Sequence, residues 1–183
     1  AGQIQGFFDM PVDNLFTTPI FARYIRRNIK SKNLICVSPD AGAIERTRGL
    51  ATKVNADLAI IDKRRPEPGK SKVMNIIGNV KGKDCMIIDD IIDSGGTIIN
   101  AADALIKKGA RSVHVFITHA VLSGDAINKI QKSKIKKLII TDTIDNSKKI
   151  KKASKIEVLS IAQLMAEAIK RISNSTSVSS LFN

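Results

Sequence analysis

Ile87-Ile88-Asp89-Asp90-Ile91-Ile92-Asp93-Ser94-Gly95-Gly96-Thr97 decides how this chain is read. An apolar run, Cys85-Met86-Ile87-Ile88, has the length and composition of a buried strand and stops at two adjacent carboxylates, Asp89 and Asp90. A third acid, Asp93, opens the small-residue turn Ser94-Gly95-Gly96-Thr97, and a helix-like stretch from Ile98 to Leu105 follows. Strand, small-residue loop and helix start, in that order, make an anion site. The first backbone N–H groups of a helix lack intrahelical partners, and the helix dipole adds positive potential there. Glycine lets the backbone come close to the anion. The acids alongside suit a diol, or Mg2+ held through water. A sugar phosphate has both features: hydroxyls for Asp89 and Asp90, and a phosphate for residues 93–97. An ordinary strand–turn–helix with solvated acids has no need of the acid pair, the glycine pair and Thr97 together.

Working outward, Leu34-Ile35-Cys36-Val37-Ser38 reads as a short buried strand ended by Pro39-Asp40-Ala41-Gly42, and a helical pattern runs from about Ala43 to Val54. Leu58-Ala59-Ile60-Ile61-Asp62 is the next strand. The polar, proline-containing stretch from Lys63 to Lys72 suits a mobile loop. Beyond the central segment, residues 113–119 and 137–141 read as strands and residues 124–132 as a helix. Ile156-Glu157-Val158-Leu159 is a last short strand, before an amphipathic helix from about Ile161 to Ile172. Strands alternating with helices predict an α/β fold, a parallel Rossmann-like sheet with helices on both faces. In such sheets ligands bind beyond the carboxyl ends of the strands. The polar breaks at Asp40, Lys63, Asp89 and Asp142 each follow an apolar strand, so they are expected along one edge.

The 183 residues suit one domain, 1–183, with a serine-rich tail at 174–183. The net charge is +13, but the lysines are scattered over loops and helix faces with no interleaved aromatics to stack on bases, so no nucleic-acid partner is expected. An anionic phosphate substrate gains from the same positive potential. Cys36 and Cys85 lie inside apolar runs and read as reduced, buried residues of a cytoplasmic protein. No apolar run is long enough to span a bilayer and no signal peptide is visible, so no membrane association is expected. The chain starts at Ala1 and goes straight into the patterned segment Gln3 to Asp9, which reads as a chain cut into.

The 87–97 segment resembles the phosphoribosyl-binding loop of type I phosphoribosyltransferase-fold proteins. Four further segments narrow the resemblance to ribose-phosphate diphosphokinases, the phosphoribosyl pyrophosphate synthetases. They are Gly2 to Asp9 with Pro11-Val12-Asp13-Asn14-Leu15; Val37-Ser38-Pro39-Asp40; Asp62-Lys63-Arg64-Arg65-Pro66 with Val73 to Gly78; and the tail Ser177-Val178-Ser179-Ser180-Leu181-Phe182. The match is to the carboxyl-terminal part of the family's length. Family members have a preceding domain of similar fold that supplies much of the ATP site, and that domain is not matched here.

The resemblance implies transfer of the β,γ-diphosphoryl group of ATP to the anomeric hydroxyl of ribose 5-phosphate, giving phosphoribosyl pyrophosphate and AMP. It makes Lys63 and Arg65 the catalytic-loop cations, Lys63 as a point charge and Arg65 as a forked donor that also meets the sugar phosphate. It places the ribose hydroxyls on Asp89 and Asp90 and the 5-phosphate on Asp93, Ser94, Gly95, Gly96 and Thr97. Ser94 stands where Thr is frequent, which keeps the hydroxyl. Asp40 matches an acid linked to Mg2+. His119 matches too, as a structural or nucleotide-side contact, although Ala120 replaces the usual Pro or Gly. Gln5, Asp13, Asn14, Ser177 and Ser179 resemble positions of a regulatory phosphate/ADP site formed between subunits. The implied substrates are ribose 5-phosphate and ATP-Mg, and the implied assembly is a homo-oligomer, a hexamer in the family. The competing readings are a phosphoribosyltransferase, a non-catalytic regulatory relative and, on the same fold, a nucleic-acid-binding regulator.

Overall fold

The computed structural model describes residues 2–64 and 73–182. Seven strands form a single sheet in the order β3-β2-β1-β4-β5-β6-β7. They are β1 (Leu34–Ser38), β2 (Asp57–Arg64), β3 (Val73–Ile77), β4 (Asp84–Ile92), β5 (Ser112–Ala120), β6 (Lys137–Thr141) and β7 (Ile156–Leu159). The helices are α1 (Thr18–Asn28), α2 (Ile44–Val54), α3 (Gly96–Lys107), α4 (Ala126–Lys132) and α5 (Ala162–Ser173).

The central strands are almost wholly apolar because both sheet faces are covered, as parallel sheets require. On one face Val37, Ile87, Val115 and Ile140 meet Ile98, Ala101 and Leu105 of α3 and Ala126 and Ile130 of α4. On the other, Cys36, Met86, Phe116 and Ile139 meet Phe21, Ala22 and Ile25 of α1 and Leu50 and Ala51 of α2. Helices therefore lie on both faces, as the alternating pattern predicts. Both cysteines are free and buried, and burial pushes each thiol up to about 12, so they act as small apolar core residues. Among the described residues no helix is long and apolar enough to cross a membrane.

Three features depart from the sequence reading. First, β3 pairs antiparallel with β2, Ile61 opposite Ile76 and Asp62 opposite Asn75, while the other pairs are parallel. Eight residues join Arg64 to Val73, too few for the crossover that a parallel neighbour demands. Second, α1 was not anticipated. Its signal is present all the same: Pro19 stands in the first turn, and Phe21, Ala22 and Ile25 make one buried stripe. Third, β4 does not stop at the acids but continues to Ile92. The strand also turns over on the way. Ile88 packs in the α1–α2 core, whereas Ile92, of the same parity, packs in the α3–α4 core. A regular strand would put both on one face. The change of face falls between Ile88 and Ile92, the stretch that carries Asp89 and Asp90.

Candidate functional site

β1, β2, β4 and β6 run parallel to one another, so Asp40, Lys63, Asp89 and Asp142 all lie at or just past the same edge of the sheet. Each arrives there for a local reason. Asp40 follows β1, has extended backbone, and accepts a hydrogen bond from the Ala43 N–H at 3.1 Å through its carboxylate. This caps the short 3-10 turn Ala41–Ala43, which runs straight into α2. Ser38 Oγ fixes the same corner by donating to the Asp40 carbonyl at 2.6 Å. Asp142 caps the start of α5, its Oδ1 accepting from the Ile161 N–H at 2.8 Å, so this acid has a structural task. Lys63 is the penultimate residue of β2, its backbone opposite Met74. Arg65 and most of the Lys63–Lys72 stretch lie outside the described residues.

The acid pair and the small-residue loop are brought together by β4 and α3. Asp89 is half-buried, Asp90 is exposed, and the Asp90 N–H donates to Asp89 Oδ1 at 3.0 Å. Residues 93–95 then bend into α3, whose first residue is Gly96. Gly95 has φ +79°, a left-handed conformation that L-residues with a Cβ adopt at a cost. No side chain caps α3, so its first N–H groups depend on water or a ligand. Asp93, Ser94 and Thr97 are exposed around this turn.

Arg46, absent from the sequence-based candidates, joins the pair. From the first turn of α2 its Nη2 donates to Asp89 Oδ1 at 2.7 Å and its Nη1 to Asp90 Oδ2 at 2.8 Å. Burial pushes the Asp89 carboxyl above its ordinary range against the opposing pull of the Asp90 N–H and Arg46. Burial acts the same way on Asp90, but the Arg46 charge and the hydrogen bonds outweigh it and hold that carboxyl low. The two acids titrate as a pair. The sequence signal that could have found Arg46 is weak: a cation in a helix's first turn, where the dipole disfavours it.

His119 sits on the same side, opposite Ile91 on β4, with Nδ1 3.0 Å from Thr143 Oγ1. Thr141 and Thr143 hydroxyls both donate to the Thr118 carbonyl, at 2.6 and 2.9 Å, making this corner rigid. Gln5, Asp13 and Asn14 belong to the opening segment, where Gln5 Nε2 donates to the Val12 carbonyl at 2.8 Å. Ser177 and Ser179 hydroxyls lie 3.0 Å apart in the tail. The two regions meet where Phe16 packs edge-on against Phe182, ring centres 5.4 Å apart. The acid pair stands at an open edge. A surface depression of about 440 Å³ lies away from the acid pair, lined by residues such as Ile25, Ile29, Leu34 and Val54.

Magnesium fits this donor set in kind. It binds through one or two carboxylate oxygens while keeping several waters and taking substrate phosphates, and Asp40 and the acid pair offer hard oxygens of that type. No cluster of three or more metal-ligating side chains exists among the described residues, so a dedicated protein cage is not what the edge provides.

Known proteins are similar to this chain in sequence and fold. The chain is 55% identical over 183 residues to the ribose-phosphate pyrophosphokinases of Brucella melitensis biotype 1 and of Rhizobium meliloti, covering all of this chain and 59% of each relative. It therefore spans somewhat under two thirds of their length. The crystal structure of phosphoribosylpyrophosphate synthetase from Mycobacterium smegmatis superposes with a TM-score of 0.85 at 34% identity, over 96% of this chain and 56% of that one. Residues 65–183 match the phosphoribosyl synthetase-associated domain. With the match covering well over half of its length, this chain belongs to the phosphoribosyl synthetase-associated domain family.

Proposed function

We propose that this chain forms the sugar-phosphate half of a ribose-phosphate diphosphokinase. The whole enzyme moves the β,γ-diphosphoryl group of ATP onto the anomeric hydroxyl of ribose 5-phosphate. A bond forms between that oxygen and the β-phosphorus as the hydroxyl gives up its proton to solvent, the bond from the β-phosphorus to the oxygen bridging the α-phosphate breaks, and AMP leaves with the electron pair. What supports this reading is one observation: the acids of β4 run through a left-handed Gly95 into an uncapped α3, in a chain 55% identical to relatives of that name.

In this reading the N–H groups of residues 93–97 hold the 5-phosphate and the Asp89–Asp90 pair accepts the ribose hydroxyls. Lys63 and Arg65 stabilise charge on the transferring group from the end of β2, where positioning and cations do most of the chemistry. Asp40 holds Mg2+ beside the sugar, and the ion neutralises phosphate charge when bound. Gln5, Asp13, Asn14, Ser177 and Ser179 form a regulatory anion site in a cytoplasmic homo-oligomer, supported by the Phe16–Phe182 contact that joins their two segments.

Separate calorimetric titrations of the chain with ribose 5-phosphate and with ATP-Mg test the assignment. The sugar phosphate binds and the nucleotide binds poorly, because these residues correspond to only 59% of the length of the relatives. A preference for the nucleotide, or no heat with the sugar phosphate, overturns it.

A further inference from the structure

Arg46 makes a contact that strand geometry alone would not permit. Adjacent residues of a regular strand point to opposite faces. Yet one guanidinium reaches both Asp89 Oδ1 and Asp90 Oδ2, in the stretch where β4 changes face between Ile88 and Ile92. The site is not placed for the helix's benefit, since a cation in the first turn opposes the dipole. Arg46 Nε, moreover, is buried without a hydrogen-bond partner. A buried unsatisfied N–H is a cost, so the forked geometry is held at some expense elsewhere.

Counting acceptors gives the consequence. Asp89 Oδ1 takes both Arg46 Nη2 and the Asp90 N–H. Asp90 Oδ2 takes Arg46 Nη1. Of the four carboxylate oxygens, Asp89 Oδ2 and Asp90 Oδ1 are the two that Arg46 does not engage, one on each acid. We propose that Arg46 is the positioning residue of a vicinal-diol site: it fixes the acid pair so that Asp89 Oδ2 and Asp90 Oδ1 receive the two ring hydroxyls of the sugar phosphate. This rests on the sugar-phosphate reading above and adds the residue that gives the site its preference for a diol. Arg46 touches the acids, and its effect on the sugar passes through them.

The test compares three probes, ribose 5-phosphate, 2-deoxyribose 5-phosphate and inorganic phosphate, on the chain and on its Arg46→Gln and Arg46→Lys variants by calorimetry. The unaltered chain prefers ribose 5-phosphate over the deoxy sugar. In Arg46→Gln the affinity for ribose 5-phosphate falls ~10- to 100-fold, as expected for losing charge-assisted hydrogen bonds that order the acceptors. That for inorganic phosphate stays within about threefold and the preference over the deoxy sugar collapses. Arg46→Lys keeps the charge but not the fork, and recovers only part of the preference. If phosphate and sugar affinities fall in parallel in both variants, Arg46 is merely structural and the proposal fails. It fails equally if the diol preference survives Arg46→Gln. Failure of the unaltered chain to bind ribose 5-phosphate would instead remove the underlying reading, which keeps the two outcomes apart.

Discussion

His114 and Asp84 are two residues whose charge the fold perturbs without using it at the candidate site. They lie at the opposite end of the sheet from the acid pair, near the starts of β4 and β5. Asp84 Oδ1 accepts from Arg111 Nε at 2.9 Å and from Ser112 Oγ at 2.7 Å, and a second Arg111 nitrogen pairs with Oδ2. The Arg111 hydrogen bond, opposed by burial and helped by Ser112, holds the Asp84 carboxyl well below the usual range. Burial, with Lys136 adding repulsion and Asp84 opposing it, pushes His114 down to about 4, and its Nδ1 is buried without a partner. The signs then follow. Between pH 6.5 and 4 the unfolded chain binds the His114 proton more readily than the folded one, so stability falls as pH drops through that window. Asp84 contributes stability above the unfolded carboxyl's pKa and loses it at still lower pH, as its folded pKa is approached. Urea midpoints should therefore fall from pH 7 to pH 5 by the equivalent of about 1–2 kcal/mol, and His114→Leu should flatten that loss. An unchanged slope in the variant would assign the acid sensitivity to other groups. A second residue-scale expectation concerns Lys63. In the complete enzyme Lys63→Ala should cut turnover ~100-fold or more while ribose 5-phosphate affinity changes little, since a cation on the transferring group acts in the transition state. An unaltered rate constant would remove Lys63 from the chemistry.

At the scale of elements, the pieces with a strong local signature are legible in the sequence. The strand–loop–helix around Asp89 to Thr97 is where the residues put it, because apolar run, acids and glycines each restrict the backbone independently. α2, β1, β6 and β7 also fall within a residue or so of their patterns. What the sequence hid depends on contacts between elements. The direction of β3 is set by a connection too short for a crossover, and the rotation of β4 is visible only in which core Ile88 and Ile92 enter. Arg46 is the case that matters for function. Its partners are more than forty residues away, so the one local signal, a cation in a helix's first turn, could not say what it pairs with. The turn after β3 gives a prediction at this scale. Gly78 has φ +114°, and a Cβ there would stand 2.9 Å from the Ala59 Cβ on β2. Gly82 has φ +71° but faces open space. Gly82→Ala should thus cost only backbone strain, about 1–2 kcal/mol. Gly78→Ala adds a steric clash with the neighbouring strand worth about 1–3 kcal/mol more. Thermal unfolding of the two variants decides it; equal losses would mean that the β2–β3 ribbon yields at no cost.

Over the whole molecule the dominant quantity is the net charge of +13. Such a field attracts any polyanion, so affinity for nucleic acid at low salt says nothing by itself about a built interface. The distinction lies in how binding responds to ions. Contacts with many phosphates release many counterions and weaken steeply with salt, whereas one phosphate seated on backbone amides at a helix start depends mainly on local geometry. The Debye length of about 8 Å at 0.15 M further confines the scattered lysines to short-range action. Duplex DNA should therefore bind this chain at 20 mM salt (about 20 mM, where the screening length exceeds 20 Å) and be released by ~0.2 M. Ribose 5-phosphate affinity should drop by no more than about tenfold over the same range. Fluorescence anisotropy of labelled DNA beside calorimetry of the sugar phosphate makes the comparison. DNA binding that persists at the higher salt would reveal a nucleic-acid surface and would favour the regulator reading. A sugar-phosphate affinity that vanishes with salt would mean that the general field, and not the amides at the start of α3, holds the anion.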